Sequence, residues 1–146
     1  MKTLLIAATL YFIYSPSVFS APSSAPAAAS KAVQAADLAE AGKNNMLPSG
    51  GWFTWKLDKK PKLGTLIVIV QAYSKDGKRD TSYDITGESG MPSMHYHDSG
   101  KVKFQKNKKG DYLLPVNVVM PGEWRIVIRV KKAKKEIYAG QTLFTI

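Results

Sequence analysis

From residue 50 onward the chain alternates apolar and polar positions with the period of strands, and nowhere with the period of a helix. Residues 52–57 predict a first short strand, closed by the turn-rich 58–61. Residues 65–73 (TLIVIVQAY) are β-branched and apolar on both faces, as a central strand is. Lys75-Asp76-Gly77-Lys78 carries a hairpin signal with Asp-Gly at its centre. Tyr83 and Ile85 share one face of a third strand, expected to end at Gly87, and Val102 and Phe104 alternate with Lys101, Lys103 and Gln105 in a half-buried fourth. Residues 111–120 put Tyr112, Leu114, Val116, Val118 and Met120 on one face. Pro115, on the other, has no N–H to give a neighbour and favours an edge or a bulge. After Pro121-Gly122, Ile126, Ile128 and Val130 face inward and Arg125 and Arg129 outward, and residues 137–146 form a last strand. About seven short strands with turn signals between them predict an all-β fold, a two-sheet β-sandwich. Gly110-Asp111-Tyr112, opening a late strand, resembles the tyrosine corner of such sandwiches.

The first 49 residues read differently. Lys2 followed by the apolar run 4–14 (LLIAATLYFIY), Pro16, and small residues at Val18 and Ser20 has the layout of a secretory signal over residues 1–20, cleaved before Ala21. The run is too short to span a bilayer, which needs roughly 20 residues. Residues 21–49 begin with dense Ala, Pro and Ser, too little apolar surface to offset the entropy of ordering, and are expected to be a flexible tether. The folded domain is then expected at 50–146, exported to a periplasmic or extracellular space.

Composition narrows the chemistry. With no cysteine there is no disulfide framework, thiolate metal site or thiol nucleophile. The net charge is +10, carried in three lysine groups around residues 56–62, 101–109 and 131–135. Such a field draws acidic proteins, acidic polymers or an anionic membrane surface. Export removes nucleic acid from the partners. The lysines also read as solubilising turn residues that blunt strand edges, the 131–135 run as a charged hairpin tip. Trp52 and Trp55 fall on opposite faces of one strand, so one is expected in the core and the other partly exposed. No Ser-His-Asp order, phosphate loop or paired carboxylates stand in a convincing context, so the chain reads as a non-enzyme.

The unusual segment is 90–98, GMPSMHYHD, which holds both histidines and two of the five methionines. Thioether and imidazole together suit copper, Cu(I) above all, better than Mg or Ca. Met91, Met94, His95 and His97 are the candidate metal ligands. In an extended segment His95 and His97 share a side, and the methionines flanking Pro92 close from a turn. The same residues read as a packing turn, since methionine is an adaptable core filler.

Several pieces of residues 61–146 resemble the YtkA-like domain family, a relative of FixH and more distantly of CopC-type copper proteins. They are Pro61-Lys-Leu-Gly64, Asp76-Gly77, Gly90-Met-Pro-Ser-Met94-His95, Gly110-Asp-Tyr112 and Met120-Pro-Gly-Glu-Trp124. The resemblance implies an immunoglobulin-like sandwich in the cell envelope, beside copper handling or oxidase assembly. It places Met91, Met94 and His95 in the family's Met/His loop, leaves His97 less fixed, and makes Trp124 a core residue. The expected function is therefore a copper carrier, buffer or assembly factor that hands its ion to an envelope protein. The alternative is a metal-free interaction module acting through its basic faces, for which Met91 or Met94 would be buried.

Overall fold

The computed structural model describes residues 33–146, with the side chain of His95 excepted. The expected signal at 1–20 and the first part of the expected tether, 21–32, lie outside the described residues.

Among the described residues, ten strands form two five-stranded sheets. In chain order they are β1 (Ala36–Asp37), β2 (Asn45–Met46), β3 (Trp52–Leu57), β4 (Gly64–Tyr73), β5 (Asp84–Gly90), β6 (Val102–Lys103), β7 (Gln105–Lys106), β8 (Tyr112–Val118), β9 (Glu123–Lys132) and β10 (Lys135–Thr145). One sheet has the order β1-β10-β9-β5-β6 and the other β2-β3-β4-β8-β7. The protein is a β-sandwich. Its core is the alternate face of each long strand: Phe53 and Trp55 of β3, Leu66, Val68 and Val70 of β4, and Tyr112, Leu114 and Val116 of β8 meet Ile85 of β5 and Trp124, Ile126 and Ile128 of β9.

The expected strands are present, with three differences. Strand β5 runs on to Gly90 instead of ending at Gly87. A side chain at Gly87 would meet Leu114 Cδ2 at 2.5 Å and Phe104 Cε2 at 2.8 Å, so the glycine lets the opposite sheet fill its place and the strand continue. The half-buried strand at 101–105 is split. Buried Phe104 is the pivot, with β6 on β5 in one sheet and β7 on β8 in the other. The Lys75–Lys78 turn forms, closed by Ser74 N–H to Lys78 O at 2.8 Å, but the long strands on either side of it enter different sheets.

The expected tether is also shorter than 21–49. Strand β1 pairs in parallel with Gly140 and Gln141 of β10, and β2 pairs with Phe53 and Trp52 of β3. Between them Leu38 lies against Gly140 and the Trp55 indole N–H donates to Ala39 O at 2.7 Å, and just after β2 Leu47 is buried. Residues 36–47 thus belong to the sandwich. Backbone pairing places them there, and backbone pairing leaves no mark in an alanine-rich composition.

Candidate functional site

The Met/His loop follows β5 at one end of the sandwich. Met91 and Met94 bracket a turn over Pro92-Ser93, with Met94 N–H donating to Met91 O at 2.9 Å. A single 3-10 turn, His95–His97, comes next, tied back by His97 N–H to Met94 O at 3.1 Å. The two methionines part company here. Met91 is 4% exposed and belongs to the core cluster, whereas Met94 is 43% exposed. The cause is Gly122: a Cβ there would lie 2.6 Å from Met91 Cε, so the missing side chain is the slot the thioether methyl fills. His97 is half-buried, and Tyr96 between the histidines stands in solvent.

Burial thus takes one of the four expected copper ligands, Met91, out of contact with solvent. The Met91 thioether is committed to the core. The segment is a 3-10 turn and not extended, so strand alternation does not set His95 and His97 on one side. Among the described residues no group of three His, Cys, Asp or Glu side chains is placed to hold a metal ion. Asp98, next in the chain, lies over Gly90 and helps line a small surface pocket of about 120 Å³ with Glu88 and Arg125. Glu88 is already engaged by Arg129, at 3.1 Å.

At the opposite end the structure gathers what the sequence scatters. The β4–β5 connection, the β7–β8 turn and the β9–β10 tip all point the same way, because Tyr73, Tyr112 and Lys131 sit at the same end of their sheets. Contacts join them. Arg79 pairs with Asp111 of the β7–β8 turn, Lys106 Nζ donates to Thr81 O at 3.1 Å, and Lys132 Nζ lies 3.6 Å from Asp80. Lys132 also stands 4.7 Å from the centre of the Tyr83 ring.

Asp111 anchors this end. Its carboxylate accepts from Arg79, from Gln71 Nε2 at 2.9 Å and from Asn107 Nδ2 at 3.1 Å. The Arg79 guanidinium, with the two amides assisting, holds the carboxyl down to about 2. Tyr112 does not form the expected corner. Its hydroxyl donates to Tyr83 O at 2.9 Å, a tie between the two sheets and not to its own strand's approach. Burial pushes that hydroxyl up to about 12. Trp55 is core and Trp52 is half-exposed, its ring stacked on Tyr73 with centroids 5.6 Å apart. Trp124 is buried, its N–H on Met120 O at 3.1 Å.

No protein-family model and no curated protein matches the chain. The fold class is thus defined by the structure, and the resemblance to the YtkA-like family rests on the motif residues alone.

Proposed function

We propose that the chain is an exported, non-catalytic interaction module of the cell envelope, which meets an acidic partner through its basic surface. The observation that carries this reading is the convergence of three lysine-bearing turns, far apart in sequence, at one end of the sandwich. Charge of one sign gathered on one surface steers association with the opposite sign. The signal-like layout of residues 1–20 supports the envelope setting. The strand order supports the immunoglobulin-like reading: β3-β4-β8-β7 and β10-β9-β5 run in the sequence of the ABED and GFC sheets, with β6 beside β5 in the place of C′. Burial of Met91 favours this reading over the copper carrier.

Two measurements on the purified chain test it together. Retention on a polyphosphate matrix is expected and is expected to fall steeply as salt rises. Titration with Cu(I) under a competing chelator, for the wild type and for Met94→Ala/His97→Ala, is expected to show no tight binding that the substitutions remove. Tight one-to-one binding lost in the variant would replace the interaction module by the carrier. Met91 is left intact in this variant because Met91→Ala would empty a core site, at about 2–5 kcal/mol.

A further inference from the structure

Resting on the reading above, we infer that the lysine end of the sandwich docks onto an anionic lipid bilayer, with the lysines of three turn tips meeting the headgroup phosphates. At this end Asp111 is paired with Arg79, Asp80 with Lys132, Asp84 with Lys103 and Glu136 with Arg129. These pairs consume the carboxylates but leave Lys75, Lys78, Lys108, Lys109, Lys134 and Lys135 exposed and without an ion pair among the described residues. Asp76 is the one nearby carboxylate that pairs with no cation among the described residues.

The shape of this end favours a flat partner. The six lysines stand in pairs on three separate turns at one end of the sandwich, which the Arg79–Asp111, Lys106–Thr81 and Lys132–Asp80 contacts hold together. A bilayer presents phosphates across a surface and meets charges spread over three turns, whereas a linear polyanion would be held better by charges lined along one strand or groove. Met46, 62% exposed and paired with Trp52 at this same end, offers one apolar side chain beside the lysines.

The β9–β10 tip adds a separate clue. Ala133 and Lys134 occupy the two central positions of a two-residue turn with φ of 50° and 66°. Asn-Gly is the favoured pair for that geometry, and an L side chain at positive φ is strained. The chain keeps a lysine where glycine would fold better. Relieving the strain and removing the charge therefore act in opposite directions on stability and on docking.

The test compares binding of the full chain to vesicles of zwitterionic phosphatidylcholine and of phosphatidylcholine with phosphatidylglycerol. Two variants lose the same charge in different places: Lys108→Gln/Lys109→Gln/Lys134→Gly at the tips, and Lys59→Gln/Lys60→Gln/Lys62→Gln at the other end. A surface lysine contributes roughly fivefold to binding of an anionic bilayer. Wild type is expected to prefer phosphatidylglycerol vesicles, with a preference that salt abolishes. The tip variant should bind them at least about tenfold more weakly while melting no lower than wild type, and the other-end variant should stay within about twofold. Equal losses in the two variants, or no preference for phosphatidylglycerol, overturn the inference. Failure on vesicles with salt-sensitive, tip-dependent retention on polyphosphate retires the membrane and leaves the interaction module standing. Failure on both retires both.

Discussion

At the scale of single residues, the most informative neighbours are Asp111 and Tyr112, adjacent in sequence and opposite in character. Asp111 faces outward into Arg79, Gln71 and Asn107, and its ionised form is the one the fold holds. Tyr112 faces inward, and its neutral form is the one the fold holds. For Asp111 the folded value, about 2, lies below the ordinary 3.8 of the unfolded chain. Its contribution is therefore complete above pH 4 and is lost as pH falls from 4 toward 2. Discounted for the partly exposed Arg79, that contribution is about 1–2 kcal/mol. Urea denaturation across this window should show wild type losing this increment and Asp111→Asn, already lacking it, losing less. Equal slopes for the two proteins would remove Asp111 from its anchoring role. The alternation around 111–118 made Tyr112 legible as core. The cluster around Asp111 was not legible, because its members lie far apart in sequence and only the β4–β8 pairing brings Gln71 beside it. Met91 and Met94 show the same limit. Chemistry makes them alike, and an empty slot at Gly122 separates them.

At the scale of elements, period-two patterning placed the strands well, and side-chain chemistry explained their ends less well. Pro115 fell where expected: β7 flanks β8 only at Tyr112 and Leu113, so among the described residues no strand pairs with the outer side at Pro115. Phe104 was legible as an inward residue, but that it turns the chain from one sheet to the other depends on the cavity beside Gly87 that receives it. The 131–135 run is the charged tip of the β9–β10 hairpin, as its composition indicated. What composition did not indicate is the positive φ at both Ala133 and Lys134, imposed by the twist of two long paired strands. Ala133→Asn suits that conformation and should stabilise the protein by about 0.5–1 kcal/mol, read as a melting temperature a few degrees higher. An unchanged or lower melting temperature would mean the strain at this position is not relieved by asparagine.

At the scale of the whole molecule, the two sheets are closed at both edges by short segments that change sheets, β1 into β2 on one side and β6 into β7 on the other. Closing edges in this way protects long strands such as β10 from pairing with other chains. A chain starting at residue 48 removes the first closure, together with Leu38 on Gly140 and the carbonyl that receives the Trp55 indole. Its denaturation midpoint should fall by the equivalent of about 2–4 kcal/mol. No change would return residues 33–47 to the role of a tether. The sequence by itself determined the fold class, the long strands, the inward and outward faces and the basic excess, because alternation and composition are local properties that burial makes obligatory. Tertiary structure alone decided which methionine is core, which of residues 33–49 join the sheets, which lysines keep their charge unpaired, and that three distant turns share one end. Each of those depends on what lies opposite in space, and a chain read in order does not contain it.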